Sequence, residues 1–253
     1  MIILTLAQRE LRSLFLSPLA WAILAVTQFI LAYLFLSQLN EYILVQPQLK
    51  LLDNAPGVTQ LVVVPLYGSA AFILMLIVPL LTMRLISEER RNRSLALLFS
   101  APVSMTEIIL GKFLGVLAFL VVLILLLSLM PLSLLLAGPL DLGHLAAIVI
   151  GMLLLIASFA ALGLYLSTLT VQPTVAAVST FGALLLLWII DWAGDKVSGT
   201  EASGLLGYLS LLRHFEALAR GVFSSADVAY FLLFITVFLV LSIRRLDADR
   251  LQH

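Results

Sequence analysis

The sequence predicts an all-α polytopic membrane protein, with six transmembrane helices and an N-terminal amphipathic helix. Three observations carry this. Of its 253 residues 62% are hydrophobic and 11% charged, with a mean hydropathy of +1.17; soluble domains are roughly 45–50% apolar and about 25% charged. Six stretches approach the roughly 20 apolar residues that cross a bilayer. Finally, six charged side chains crowd into "RLISEERRNR", residues 84–93, between two apolar segments. At roughly 2.5–3.5 kcal/mol per charge at a span centre, that stretch lies outside hydrocarbon.

Residues 1–17 read as a helix in the membrane interface. Ile3, Leu4, Ala7, Leu11, Leu14 and Phe15 share one face, Thr5, Gln8, Arg9, Arg12 and Ser13 the other, and Leu6 and Glu10 fall between. The plainer alternative is a frayed start to span one. Ser17 followed by Pro18 marks a new helix start. The length before span one and the lack of a small-residue cleavage site argue against a cleavable signal peptide.

The spans are placed at about 19–39, 64–83, 108–129, 145–166, 175–190 and 228–243. Trp188 and Trp192 flank the short fifth span as interface aromatics. "DNAPG" marks a turn in the outer loop at 40–63.

With both termini on one side, that side holds Arg9, Arg12, Arg84, Arg90, Arg91, Arg93, Lys112, Arg244, Arg245 and Arg250. The other keeps Lys50, Lys196, Arg213 and Arg220, so both termini are expected in the cytoplasm.

In the charged segment the spacing sets Arg84 against Glu88, Glu88 against Asn92 and Glu89 against Arg93 on a helix continuing span two. Leu95, Leu98 and Phe99 then form a small apolar face, Pro102 ends the run, and Ser104 with Glu107 forms a capping box for span three. Such a face beneath a charged stem suits docking of a soluble protein; its alternative is contact with lipid headgroups.

The outer segment 191–227 opens with the turn-rich "DWAGDKVSGTEASG". Over 205–223 it then places Leu211, Phe215, Leu218, Ala219 and Val222 at helical spacing. One or two short helices are expected there, with Leu211, Phe215, Leu218 and Val222 as candidate outer-gate residues. An ordinary loop helix without gating is the alternative. Ser224 and Asp227 are placed to cap span six, and 244–253 forms a cytoplasmic tail.

The chain carries no recognisable catalytic machinery. "TEIILGKFLG" ends in Gly111-Lys112, but Thr106 replaces the first glycine of a P-loop and Phe113 its hydroxyl residue. There is no H-E-x-x-H, and Ser69 of "YGSAA" has no base near it in sequence. His144, His214 and His253 belong to no ligand pattern, no metal or cofactor site is expected, and the absence of cysteine removes disulfides, thiolate metal sites and cysteine nucleophiles. A net charge of zero gives no reason to expect nucleic acid. Ionisable residues are nearly absent from the spans, which argues against a proton-coupled transporter. Small residues cluster instead, at Ala157, Ser158, Ala160, Ala161 and Gly163, and at Ala176, Ala177, Ser179, Thr180, Gly182 and Ala183. They permit close helix packing inside the protein, or else a dimer contact or substrate path.

The stretch "PLLTMRLISEERRNRSLALLFSAPVSMTEIILGKFLG" resembles the corresponding part of type-2 ATP-binding-cassette (ABC) exporter permeases. Pro79, Met83-Arg84, Glu88-Glu89-Arg90, the leucines 95, 97 and 98, Pro102-Val103 and Gly111-Lys112 carry the pattern. "AQRELRSLFLSPLAW" and "LSLLRHFEALARGVFSSADVAYF" extend the likeness along the chain, closest to the gliding-motility and nitrous-oxide-reductase-maturation permeases. The chain departs from the family at Arg93-Ser94-Leu95-Ala96-Leu97-Leu98, where Gly-Thr-Leu-Glu-Leu-Leu is usual.

The resemblance implies a homodimer or pseudo-dimer of permeases in the bacterial inner membrane, resting on two copies of a separate ATPase subunit that binds ATP and magnesium. It leaves room for an auxiliary membrane-anchored or periplasmic protein. Segment 84–105 would be the cytoplasmic coupling loop or helix, with Arg84, Glu88, Glu89, Arg90, Arg91, Leu95, Leu98 and Phe99 meeting the ATPase. The apolar span walls imply a hydrophobic or lipid-like cargo. The alternatives are a mechanotransmitting subunit that moves no cargo and acts on an outer partner, and a non-transporting scaffold.

Overall fold

The computed structural model describes residues 2–49, 56–93, 103–136, 140–196, 210–221 and 224–250, with backbone only at 49 and 191–196. Helix α1 (Ile2–Leu16) precedes α2 (Pro18–Leu49); a π-helical turn (Thr59–Val63) opens α3 (Val64–Thr82), and a short α4 (Ser87–Arg91) follows it. Next come α5 (Met105–Ser133), α6 (Leu142–Leu169), α7 (Pro173–Lys196), the short α8 (Leu211–Ala219) and α9 (Ser225–Arg250). No strand occurs among the described residues. Six helical stretches are long and apolar enough to cross a membrane, in the expected order.

Several helices outrun their apolar cores. α2 has 32 residues, about 48 Å at 1.5 Å per residue against a hydrocarbon core of roughly 30 Å. The loop expected at 40–63 is therefore shorter, because the mixed polar and apolar residues from Asn40 to Gln48 continue the helix. The "DNA" of the turn signal lies outside the described residues.

α6 is the central element, packing against α3, α5, α7, α8 and α9. Its side chains from Leu155 to Leu164 are buried on every side. Small residues make this possible by letting neighbours approach from all directions. A Cβ on Gly163 would lie 2.2 Å from Thr82 Oγ1 and 3.2 Å from Thr180 Cγ2, so α3, α6 and α7 meet there. The small-residue clusters in spans four and five thus serve internal packing at Gly163, Ala176 and Thr180, whereas Gly182 faces open space. α2, α7 and α9 leave large apolar side chains exposed, Phe29, Val178 and Leu233 among them, as suits a lipid surround.

Several polar groups within the bundle are bonded across it, as burial without water favours. Tyr67 Oη and Ser128 Oγ lie 2.8 Å apart, Ser128 Oγ donates to Ile124 O at 2.8 Å, and Gln28 Nε2 donates to Leu123 O at 3.0 Å. These bonds join α3 and α2 to α5.

α1 packs against the first half of α5. A Cβ on Gly111 would come within 2.6 Å of Leu6 Cβ, and one on Gly115 within 2.6 Å of Glu10 Cβ and 3.0 Å of Ala7 O. Further along, the Phe15 and Phe119 rings pack at a tilt with centroids 5.3 Å apart. The contact moves forward on both helices together, so α1 runs alongside α5 in the same direction. The packed face accordingly takes in Ile3, Ala7, Leu11, Leu14 and Phe15, as their spacing predicts, and adds Leu6 and Glu10 from the boundary, while Leu4 is 71% exposed. Leu6 and Glu10 join that face because α1 seats in a glycine groove of α5. The spacing Gly111-x-x-x-Gly115 was the available signal.

Candidate functional site

The charged segment leaves α3 through a break, not as a continuation of the span. Ile86 has φ −121° and ψ −39°, and residues 83–86 form turns. Ser167 of α6 closes that break: its hydroxyl accepts from Ile86 N and Ser87 N, both at 3.1 Å, and donates to Met83 O at 3.1 Å. Two backbone donors and one acceptor freed by the break are satisfied by one side chain some 80 residues away. Leu85 and Ile86 are buried beside it, so α4 is seated on the bundle.

α4 ends within two turns. Asn92 N donates to Glu88 O at 2.9 Å, and Arg93 then adopts φ +56°. That left-handed conformation favours glycine, and Arg93 stands at the position where the exporter permeases usually have glycine.

The expected helical charge pairs give way to long-range ones. With Arg93 past the helix end, Glu89 turns inward, and its Oε1 accepts from Lys112 Nζ of α5 at 2.7 Å. Glu10 Oε2 of α1 lies 3.5 Å from the same ammonium. Lys112, whose side chain is only 9% exposed, therefore sits between two carboxylates from different helices. The turn also destroys the register expected between Arg84 and Glu88, and Arg84 is exposed.

Arg90 pairs with Asp249 near the end of α9 through a guanidinium–carboxylate contact, and Arg245 Nη2 approaches the other Asp249 oxygen at 3.7 Å. One short helix is thus bonded to α5, α6 and α9, and through Lys112 to α1. Arg84 and Arg91 face outward, as do Arg9 and Arg12 of α1, and Glu88 is half-buried. Leu95, Leu98 and Phe99 lie outside the described residues. Lys112, Glu10, Ser167 and Asp249 belong to the site but were not singled out from sequence, because each acts on a residue distant in the chain. The capping box forms as expected: Ser104 Oγ accepts from Glu107 N at 3.2 Å, and Glu107 Oε2 accepts from Ser104 N at 2.9 Å.

At the opposite end of the bundle, α8 lies with Leu211, Phe215, Leu218 and Ala219 buried, as their spacing predicts. Leu218 seats on Gly151 of α6, where an added Cβ would be 3.0 Å from Leu218 Cβ. Val222 lies outside the described residues. Three polar contacts fix α8. Ser210 Oγ accepts from Arg213 N at 3.1 Å, His144 Nε2 lies 2.7 Å from Ala219 O, and His214 Nδ1 lies 2.6 Å from Asp227 Oδ1. His214 also stacks on Tyr230 at 4.1 Å. Asp227 therefore serves α8, while Ser224 Oγ alone accepts from Ala226 N at the start of α9. No group of three or more metal-ligating side chains occurs among the described residues.

The geometry is that of a membrane bundle with a charged segment seated after its second span and a short helix packed at the far end. Comparison with curated proteins returns no match. The family model described as "ABC-2 family transporter protein" matches residues 4–251, nearly the whole chain. The chain belongs to the ABC-2 family of transporter proteins and is a multi-pass membrane permease subunit of an ABC transporter.

Proposed function

We propose that this permease works as an exporter subunit, driven by a separate ATPase that meets α4 and the residues following it. The observation that supports this best is the seating of α4. Glu89 ties it to Lys112 of α5 and through that residue to α1, while Arg90 ties it to Asp249 of α9. A push delivered to α4 is then carried into spans three and six by ion pairs and into span four by the Ser167 cap. Partner contact falls to the outward cations Arg84 and Arg91, together with Leu95, Leu98 and Phe99, which follow them in sequence. In this reading Glu89 and Arg90 transmit motion and do not touch the partner. Both termini lie in the cytoplasm, the bilayer is the bacterial inner membrane, and two permeases sit on two ATPases that bind ATP and magnesium. The cargo is hydrophobic or lipid-like, since the spans offer few polar groups.

Affinity purification of the tagged chain in mild detergent tests this. A P-loop ATPase is expected to co-purify with wild type and with Glu89→Gln, and to be lost from an equally folded Arg84→Glu/Arg91→Glu variant. Glu89→Gln is expected to keep the ATPase bound but weaken its stimulation by the permease. Absence of any P-loop protein from the wild-type preparation would refute the proposal. ATP turnover with no lipid moved in proteoliposomes would replace transport with mechanotransmission, for which the triply fixed α8 offers the contact point.

A further inference from the structure

The end of the bundle that carries α8 holds an apolar cavity of about 260 Å³, walled by α3, α6, α7 and α8. Its interior is formed by residues such as Met75, Phe159 and Phe215, and Glu216 is the one charged residue on its lining among the described residues. Phe72 and Trp188, both lining it and both exposed, lie with ring centroids 5.6 Å apart. The cavity therefore opens sideways on faces of α3 and α7 that suit lipid. Gly68 lines it too, and a Cβ there would meet nothing within 4 Å. A glycine inside a helix costs about 0.5–1 kcal/mol relative to alanine. Gly111, Gly115, Gly151 and Gly163 each admit a packed neighbour; Gly68, an exposed position of α3 on the cavity lining, admits none from this chain, so a larger side chain there has room to enter the cavity.

We propose that this cavity binds a single acyl chain of a bilayer phospholipid. Empty apolar cavities of about 150 Å³ stay dry and take up small apolar ligands, and sites for whole drug-sized ligands run about 300–1,000 Å³. The volume here fits one chain and not a complete lipid, which leaves the headgroup at the mouth. The assignment stands on the six apolar spans and does not depend on the exported cargo.

The test uses the full chain in phosphatidylcholine nanodiscs containing a phosphatidylcholine with a diazirine near the end of its acyl chain, with adducts mapped by mass spectrometry. The expected adducts fall on Met75 and Phe159, which are 3% and 7% exposed and out of reach of surface lipid. In Gly68→Leu those adducts drop by about tenfold, the effect of displacing a few methylenes from the site. They persist in Gly68→Ala and in Gly182→Leu, whose glycine also faces open space but is not on the cavity lining. If Gly68→Leu does not fold, the wild-type map decides alone. Adducts confined to exposed residues such as Phe29 and Val178, as when a second copy of the chain fills the cavity, would overturn the proposal. So would labelling of Met75 and Phe159 by a diazirine fatty acid but not by the phospholipid.

Discussion

Replacing Lys112 with methionine removes the cation held between Glu89 and Glu10 while keeping a side chain of similar length. At 2.7 Å and an effective dielectric constant of about 20, a unit-charge pair attracts by about 6 kcal/mol. Each buried ion loses several kcal/mol of hydration in return. The carboxylates remain 22% and 23% exposed, so water recovers part of what the lost partner supplied. A net destabilisation of about 1–3 kcal/mol follows, below the 3–5 typical of a fully buried broken pair. Neutralising the acids should then reverse much of the loss: Lys112→Met/Glu89→Gln is expected to be less destabilised than the sum of the single variants, by about 1–2 kcal/mol. The assay is thermal unfolding of the four purified forms in one detergent, closed as a double-mutant cycle. ATPase stimulation by the permease is recorded beside it, and is expected to fall in both single variants. Additive effects within about 0.3 kcal/mol would refute the argument, because the ion pair would then contribute nothing to seating α4.

Three further outcomes follow from the same geometry. Arg93→Gly should raise stability by about 1 kcal/mol, since glycine tolerates the φ of +56° that arginine adopts at a cost; a lower melting temperature would contradict this. Ser167→Ala leaves two buried backbone donors without their acceptor and should cost about 1–3 kcal/mol, with faster hydrogen exchange at Ile86 and Ser87 as the readout. Gly115→Ala must push Glu10 and Ala7 away at about 1–3 kcal/mol. Because the chain has no native cysteine, a single Leu6→Cys probe should then react faster with maleimide, and an unchanged rate would show that α1 does not depend on the groove.

Much of the fold was legible because its signals are local. Hydropathy placed six spans, Ser104 and Glu107 encode a cap within four residues, and the period of Leu211, Phe215 and Leu218 specifies the buried side of α8. The break between α3 and α4 was not legible. The run from Leu85 to Arg91 reads as continuous helix, and the group that stabilises its interruption, Ser167, sits on another span. The apolar face of α1 was legible except at its edge, where the groove of Gly111 and Gly115 draws in Leu6 and Glu10 and leaves Leu4 out.

The sequence by itself determined the solvent, the number of spans and the place where charge leaves the membrane. These depend on composition and on the energy of moving a charge into hydrocarbon, both independent of neighbours. Tertiary structure decided which helix is central and which charges face inward. In lipid the buried and exposed sides of a helix are equally apolar, so α6, enclosed on all sides, and α9, largely exposed, look alike as strings of residues. Packing through small residues tells them apart. The same packing brings Glu89 to Lys112 and Arg90 to Asp249, 159 positions away, and leaves Arg84 and Arg91 exposed.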